Sequence, residues 1–325
     1  MTTEVRSDEM KIAREASKLT KEEWREYTKT VWHIANVTNA NHPAVFPDEI
    51  PHRLIKLFSF VGETVLDPFA GVGTTARVAV GLNRRAISVE LNPEYAARIN
   101  HTVQSPESAV HEADSRELTF IDDATMDLVV TSPPYWNKAD YGDESTNLGN
   151  IAGYQRFLDE MRSVFDEIYR VLRPGRKVCV VTANVNQHTD HGLLTFPLAA
   201  DFTILLRDAG FVMINELIWS KDKTGGRWGS AGVQRPIFGS YPYPPNFLFK
   251  NVHEYILVFT KPGGRPTTGP KVMNYEGLMS EFEEVKTPRL DHADGTVPGA
   301  HGSNGAPNGN GANHSRKANA PKTSP

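Results

Sequence analysis

The stretch with the clearest chemical potential is residues 131–136, Thr-Ser-Pro-Pro-Tyr-Trp. It combines a hydroxyl group at Ser132, two rigid residues at Pro133 and Pro134, and a flat ring at Tyr135. Proline holds the backbone so that nearby carbonyl groups point in set directions. A serine oxygen can accept a hydrogen bond from an amino group, and an aromatic ring can stack on another ring. The stretch therefore suits the exocyclic amine of a nucleobase, although a Pro-Pro turn with core aromatics would read the same way.

The apolar run before this motif predicts the element that positions it. Residues 126–130, Met-Asp-Leu-Val-Val, indicate a short buried strand that ends where the two prolines forbid further pairing. In an open α/β sheet, ligands bind at the carboxyl ends of the strands. The motif is therefore expected at the ligand-binding edge of such a sheet.

A second stretch, residues 63–76, reads Glu-Thr-Val-Leu-Asp-Pro-Phe-Ala-Gly-Val-Gly-Thr-Thr-Ala. It predicts a strand, a glycine turn and a helix, and residues 85–90 predict the next strand of a βαβ unit. Gly71 and Gly73 let a ligand approach the backbone. Glu90, at the tip of the second strand, is placed to accept both hydroxyl groups of a ribose.

Asp67 bears on which nucleoside this turn would bind. Residues 71–76 fit the G-x-G-x-x-G/A pattern of nicotinamide dinucleotide sites, so that class is a competitor. A carboxylate just ahead of the glycines would repel a pyrophosphate, but it could bind, directly or through water, the cationic amino acid end of S-adenosylmethionine. The inferred ligand is a nucleoside without phosphates. Asp114 could accept from an adenine amino group, or it could simply cap a loop.

Further elements are predicted around these two motifs. Residues 137–150 are polar and long enough to form a mobile loop over the site. Residues 220–251 interleave basic and aromatic side chains, which suits phosphate contact and base-edge reading. From about residue 287 the composition predicts disorder. An amphipathic helix is predicted over residues 153–172, and later strands are predicted over residues 177–182, 211–219 and 253–259.

Composition limits the remaining possibilities. The chain has 325 residues, 39% of them hydrophobic, and a single cysteine, Cys179. One cysteine excludes an intrachain disulfide and a cysteine-clustered zinc site, and no metal site is predicted. The net charge of -4 means that any nucleic-acid binding must use a local basic face. The sequence has no apolar run long enough to span a bilayer, and its first residues are charged, so we expect the protein in the cytoplasm. We expect a protein of bacterial, archaeal or phage type that associates with the nucleoid when it acts.

Three motifs together resemble those of the amino-group DNA methyltransferases, which make N4-methylcytosine or N6-methyladenine. They are residues 42–47 (His-Pro-Ala-Val-Phe-Pro), 67–75 (Asp-Pro-Phe-Ala-Gly-Val-Gly-Thr-Thr) and 131–135 (Thr-Ser-Pro-Pro-Tyr). With His-Glu-Tyr at residues 253–255, the resemblance covers roughly residues 30 to 260. It implies an α/β, Rossmann-like S-adenosylmethionine-dependent methyltransferase fold, with a mostly parallel seven-stranded sheet that includes an antiparallel strand. It also implies S-adenosyl-L-methionine as cofactor and double-stranded DNA as partner.

The resemblance, combined with the residue-level reasoning above, assigns two sets of site residues. The predicted catalytic residues, which would hold the target base, are Ser132, Pro133, Pro134 and Tyr135. The predicted cofactor-binding residues are His42, Phe46, Asp67, Pro68, Phe69, Gly71, Gly73, Thr74, Thr75, Glu90 and Asp114.

The order of the motifs departs from the family's beta group, which they otherwise resemble most. There the catalytic motif usually comes first, whereas here the cofactor motif does; a circular permutation of the chain would explain this. The target-recognition region is accordingly predicted at residues 220–251, helped by the N-terminal segment. The expected organisation is a helical extension over residues 1–30, a catalytic domain over 31–262 and a largely disordered tail over 263–325.

The identity of the methylated base stays open at this point. Serine at the first polar position of the Pro-Pro motif favours cytosine N4, with adenine N6 as the alternative, because most adenine enzymes of the family carry aspartate there. Methylation of cytosine carbon 5 is disfavoured, since it needs a cysteine nucleophile and Cys179 lies in a predicted strand. An RNA base methyltransferase and a nicotinamide-dependent oxidoreductase are further alternatives. A cognate restriction endonuclease and a homodimer are possible partners.

Overall fold

The computed structural model describes residues 3–36, 46–136, 146–221 and 251–263, with side chains from residue 8 onward. These residues belong to one compact unit, Met1–Glu281, and a second unit, Phe282–Pro325, lies entirely outside the described residues. Four predictions concern residues that lie wholly or mainly outside the described ranges. They are the role of His42, the loop over the site at residues 137–150, the recognition loop at residues 220–251 and the disordered tail from about residue 287.

Helices and strands alternate along most of the described chain. The helices are α1 (Thr3–Ala16), α2 (Lys21–Tyr27), α3 (Glu49–Phe58), α4 (Thr74–Gly81), α5 (Pro93–Thr102), α6 (Tyr154–Val171) and α7 (Leu198–Asp208). The strands are β1 (Val31–His33), β2 (Thr64–Asp67), β3 (Arg85–Glu90), β4 (Ser108–Glu112), β5 (Met126–Thr131), β6 (Leu172–Thr182), β7 (Val185–Thr189), β8 (Gly192–Phe196), β9 (Val212–Ser220) and β10 (His253–Thr260).

The main sheet has the strand order β1-β9-β10-β6-β5-β2-β3-β4. All neighbouring strands are parallel except that β10 runs antiparallel to both β6 and β9. The predicted mostly parallel α/β sheet with an antiparallel strand is confirmed. The predicted number of seven strands is wrong, because the described residues form eight. The additional strand is β1, and its three residues are too few to show a period-2 pattern in the sequence.

Two hydrophobic cores cover the two faces of this sheet. Alternate residues of each strand point to opposite faces, so that Val129 of β5 packs with α6 and α7, whereas Leu128 and Val130 pack with α3, α4 and α5. Both faces are therefore buried, as a parallel sheet requires. Each fully buried large apolar side chain stabilises the fold by roughly 2 kcal/mol, so the two cores hold the strand tips in fixed relative positions.

Helix α6 shows why its segment was predictable. Its apolar residues recur at helical spacing on one side, and all of them are buried: Phe157, Leu158, Met161, Val164, Phe165, Ile168 and Val171. The helix begins one residue later and ends one residue earlier than predicted. The predicted amphipathic helix is confirmed.

A hairpin that the sequence analysis did not predict follows the carboxyl end of β6. Strands β7 and β8 pair antiparallel, from Val185 opposite Phe196 to Thr189 opposite Gly192, and form a separate two-stranded sheet. Phe196, at its base, packs against Trp136 and Tyr154 with ring centroids 4.8 and 4.9 Å away. The hairpin is thus anchored to the residue that follows Tyr135.

Strand β1 pairs the N-terminal segment with strand β9 at one edge of the main sheet. Val31, Trp32 and His33 pair with residues 218–220 of β9. The Trp219 indole donates a hydrogen bond to the Ile34 carbonyl at 2.9 Å, and Trp32 is fully buried.

Across the described part of the chain, no helix combines the length and the apolar character needed to cross a bilayer.

Candidate active site

A cleft opens at the carboxyl edge of the sheet, where the strand order reverses. The reversal lies between β2 and β5, which are neighbours in the sheet. From β2 the chain continues outward to β3 and β4 on one side, and from β5 it continues to β6 on the other side. Such a switch point is where open α/β sheets bind ligands. The space inside the cleft and its open mouth together amounts to about 920 Å³. The glycine turn leaves β2 and the Pro-Pro motif leaves β5, so both border this cleft.

The glycine turn between β2 and α4 is held in shape by Glu90. Gly71 and Gly73 have φ angles of 52° and 83°, in the left-handed region that favours glycine. Glu90 accepts hydrogen bonds from the Gly71 amide at 2.7 Å and from the Asn92 amide at 2.9 Å. Burial raises the pKa of Glu90 above its ordinary value, although these bonds act in the opposite direction. Glu90 also lines the cleft, so it both supports the turn and faces a ligand.

Asp67 lies behind the cleft rather than on its wall. It is buried, and its carboxylate accepts hydrogen bonds from Thr75 Oγ1 at 2.7 Å, Thr131 Oγ1 at 2.8 Å and the Phe69 amide at 3.0 Å. Burial raises the pKa of Asp67 to about 6, against the effect of the three donors. Asp67 is not among the residues that line the cleft. It ties the glycine turn to the strand that carries the Pro-Pro motif.

Asp114 lines the cleft and is fixed by Arg116. The guanidinium group donates from Nε to Asp114 Oδ1 at 3.0 Å, and it also contacts Glu160 and the Thr146 carbonyl. Burial opposes ionisation of Asp114, but the bonds from Arg116 hold the pKa of its carboxyl below the ordinary value. An ionised acceptor therefore stands on this side of the cleft.

The Pro-Pro motif is connected through Tyr135 to the last strands of the sheet. Ser132 Oγ lies 3.2 Å from the Tyr135 hydroxyl oxygen, and Tyr135 donates a hydrogen bond to Glu254 Oε2 at 2.9 Å. The other oxygen of Glu254 is bound to the ammonium group of Lys221. Glu254 belongs to β10 and Lys221 directly follows β9. Three separate segments therefore meet at the motif.

Trp136 and Tyr135 have different surroundings. Trp136 is buried, donates from its indole to the Ile151 carbonyl at 2.8 Å and packs against Tyr154 and Phe196. Its φ angle of 52° is unusual for a bulky residue. The interpretation as a core aromatic thus fits Trp136, whereas Tyr135 lines the cleft.

Cys179 is a buried residue of β6, as predicted. Burial raises the pKa of its thiol far above the ordinary value. The Cys179 side chain packs in the core that contains α3, α4 and α5, and it does not line the cleft.

Most of the predicted site residues come together. The cleft is lined by Phe46, Pro68, Phe69, Gly71, Thr74, Glu90, Asp114, Ser132, Pro133, Pro134 and Tyr135. Asp67, Gly73 and Thr75 lie outside this lining, and His42 lies outside the described residues. The sequence analysis did not assign eight further lining residues, which are Ala70, Val72, Leu91, Tyr95, Ser115, Thr146, Asn147 and Leu148.

Some of these missed residues carried a usable signal. Leu91 and Tyr95 follow Glu90 at a strand tip and at the start of α5, where side chains must border the same edge as Glu90. Glu254 lies in the His-Glu-Tyr strand that contributed to the resemblance. Nothing in the sequence pairs it with a tyrosine 119 residues earlier.

The fold and the cleft together define a class of protein. A mostly parallel sheet with one antiparallel strand, a glycine turn after β2 and an acidic residue at the tip of β3 are the arrangement of an S-adenosylmethionine-dependent methyltransferase.

Comparison with known families narrows this class. A family model described as DNA methylase matches residues 3–101 and 126–307, which is most of the chain. The chain therefore belongs to the amino-group DNA methyltransferases, the S-adenosylmethionine-dependent family that methylates adenine N6 or cytosine N4.

Individual relatives match over shorter stretches. The type II methyltransferase M.MjaI of Methanocaldococcus jannaschii is 44% identical over 85 residues, 24% of this chain and 28% of that protein. M.BglI of Bacillus subtilis is 43% identical over 91 residues, 27% of this chain and 26% of that protein. The chain thus matches about a quarter of the length of each. TTHA0409 of Thermus thermophilus, named a DNA modification methylase and solved with S-adenosyl-L-methionine, shows 34% identity, 48% and 56% coverage of this chain and of that chain, and a TM-score of 0.36.

Proposed function

We propose that the protein transfers a methyl group from S-adenosylmethionine to the exocyclic amine of a base that has swung out of duplex DNA, with cytosine N4 favoured over adenine N6. The observation that carries this proposal is the shared cleft: Ser132 and Tyr135 face the same space as Gly71, Glu90 and Asp114. A cofactor site and an amine-accepting site must adjoin for direct transfer.

The residues of the glycine turn fit the cofactor. Glu90 would accept the ribose hydroxyl groups, because its carboxylate lines the cleft while its second role, holding Gly71, uses backbone donors only. Asp114 would accept from the adenine amino group. Phe46, Pro68, Phe69 and Thr74 supply the walls, and Asp67, Gly73 and Thr75 support the turn from behind. His42 would complete the cofactor site. Bound S-adenosylmethionine supplies an activated sulfonium methyl group.

The protein must then prepare the nucleophile. An exocyclic amine is conjugated with its ring, so its lone pair becomes available only as the nitrogen pyramidalises. Ser132 Oγ and the Pro133 carbonyl would accept its two hydrogens and stabilise the positive charge that develops. Pro134 keeps that carbonyl in a fixed direction. A paired base cannot reach this site, so the nucleotide must leave the stack and lie against the Tyr135 ring.

The choice of base rests on Ser132. Serine in place of aspartate favours cytosine N4 by analogy within the family, and both bases present an amine beside a ring nitrogen. Adenine N6 is therefore the second candidate. Several earlier expectations stay predictions. They are target recognition through residues 220–251, a cognate endonuclease, a homodimer, a cytoplasmic location and the domain boundaries given above.

The test is to incubate the protein with unmethylated genomic DNA and S-adenosylmethionine carrying a deuterated methyl group, digest the DNA to nucleosides and analyse them by mass spectrometry. The label separates new methyl groups from earlier ones. Labelled N4-methylcytosine is the expected product, and labelled N6-methyladenine would support the second candidate instead. The absence of any labelled base in the DNA would overturn the proposal.

Tyr135→Ala provides the matched variant for this experiment. Loss of the stacking ring should lower the transfer rate by about 100-fold, while the dissociation constant for S-adenosylmethionine, measured by calorimetry, changes less than about twofold. Transfer at the rate of the parent protein would remove Tyr135 from the proposed base site.

A further inference from the structure

Glu254 and Lys221 form a polar chain that ends at the amine-accepting side of the cleft. Lys221 binds Glu254, Glu254 accepts from Tyr135, and the Tyr135 oxygen lies 3.2 Å from Ser132 Oγ. The Lys221 and Glu254 side chains are only 9% and 13% exposed. Strand pairing sets this arrangement, because Glu254 lies opposite Trp219 and Lys221 follows one residue after β9 ends.

The proton count along this chain fixes its direction. A carboxylate paired with an ammonium group can only accept, so the single phenolic proton of Tyr135 is donated to Glu254. The Tyr135 oxygen is then left as an acceptor towards Ser132. Of the two possible directions for the Ser132–Tyr135 hydrogen bond, the one in which Ser132 donates is the one that remains.

We propose that Glu254 is a positioning residue that, held by Lys221, keeps the Ser132 hydroxyl proton turned towards Tyr135, so that Ser132 presents only lone pairs to the target amine. This inference rests on the proposed function of Ser132. A hydroxyl group free to rotate could instead donate to the amine nitrogen and occupy the lone pair that must attack. The chain therefore sets the polarity of the acceptor.

Glu254→Gln is the sharpest test because it keeps the shape and reverses the polarity. Lys221 can only donate, so the amide oxygen of glutamine would face Lys221 and its NH₂ group would face Tyr135. Tyr135 would then donate to Ser132, and the Ser132 proton would point into the cleft. We expect the single-turnover rate of methyl transfer to fall about 10- to 100-fold, with the dissociation constant for S-adenosylmethionine unchanged within about twofold.

Two controls separate polarity from general loss of structure. Glu216→Gln alters an exposed carboxylate of β9, beside the same strand β10, and should leave the rate unchanged. Tyr135→Phe keeps the stacking ring but removes the hydrogen bonds to Glu254 and Ser132, so it should slow transfer. The double variant Glu254→Gln, Tyr135→Phe should then be no slower than Tyr135→Phe alone, because each change interrupts the same chain.

The decisive background is Ser132→Asp, since a carboxylate carries no hydroxyl proton to misdirect. In that background Glu254→Gln should change the transfer rate less than about twofold. A loss as large as in the parent background would show that Glu254 only braces the loop and would overturn the proposal. If Ser132→Asp is inactive or unfolded, the Tyr135→Phe double variant decides: additive losses overturn the proposal. A parent protein that methylates no DNA would overturn the proposed function itself, whereas active parent protein with unaffected Glu254→Gln overturns only the polarity.

Discussion

At the scale of single residues, Asp67 is the buried carboxylate that joins the two halves of the site. Its oxygens accept from Thr75 on the cofactor side and Thr131 on the base side. Burial raises the pKa of Asp67 from 3.8 to about 6. The ionised form is therefore unfavourable in the folded protein relative to the unfolded chain, and the arrangement has a cost that depends on pH.

That cost gives a prediction with a defined sign. Between pH 3.8 and about 6 the folded protein holds a proton on Asp67 that the unfolded chain has lost, so the stabilisation present below this window disappears as pH rises through it. The full effect corresponds to about 3 kcal/mol. Urea unfolding of the parent and of Asp67→Asn should show the parent losing stability relative to the variant from pH 4 to pH 7.

The control for this measurement is Asp159→Asn, on the exposed side of α6. It should stay within about 0.5 kcal/mol of the parent. A stability difference between Asp67→Asn and the parent that is the same at pH 4 and pH 7 would contradict the prediction.

At the scale of elements, helix α4 has a glycine at each end, and the two glycines have opposite requirements. Gly73 caps its start with a φ angle of 83°, and a Cβ atom there would lie 3.1 Å from two side-chain carbons of Ile99. Gly81 ends the helix without a positive φ angle, and a Cβ atom there would meet nothing within 4 Å. The same chemical change should therefore have different effects at the two ends.

Gly73→Ala should destabilise the protein by about 1 to 3 kcal/mol, because it adds both backbone strain and a clash. It should also weaken binding of S-adenosylmethionine, since the turn that borders the cleft must shift. Gly81→Ala should be neutral or stabilise by up to about 1 kcal/mol. Unfolding midpoints and calorimetric titrations of both variants test this, and equal losses of stability at the two positions would refute it.

The elements that could be predicted from the sequence are those with a long or repeated pattern. Strand β5 has a mostly apolar run, helix α6 has apolar residues at clear helical spacing, and the glycine turn has a motif of its own. Strand β1 is too short for a pattern, and the β7–β8 hairpin has polar residues along most of its length. The site followed the same rule: residues that border the cleft from strand tips were predictable. Glu254 meets Tyr135, and Lys221 meets Glu254, only through strand pairing that no local pattern reveals.

At the scale of the whole molecule, stability and chemistry occupy opposite edges of the sheet. The cleft lies at the carboxyl edge, whereas an ionic cluster lies at the amino edge. There Asp127, which is buried, accepts from the Thr64 amide at 3.0 Å and contacts Arg173 and Arg176. Removing a buried partner of this kind leaves the remaining groups without hydrogen bonds and lowers the free energy of unfolding. The geometry of the cleft, at the opposite edge, should not change.

Asp127→Ala should therefore lower the free energy of unfolding by about 3 kcal/mol, while the methyl-transfer rate per folded molecule stays at the parent value. Arg162→Ala is the matched control, because its ion pair with Asp208 is about half exposed and should contribute less than about 1 kcal/mol. Denaturant unfolding and active-site titration measure the two quantities separately. A parallel fall in rate per folded molecule would show that the two edges are coupled.

Strand β1 also bears on self-association. A long β9 without a neighbour would present a row of unpaired amide and carbonyl groups, which is a template for pairing with another chain. β1 covers residues 218–220 of that row and is itself only three residues long. An edge so short offers little for a second molecule to extend. The N-terminal segment therefore covers three residues of an edge that could otherwise pair with a second molecule.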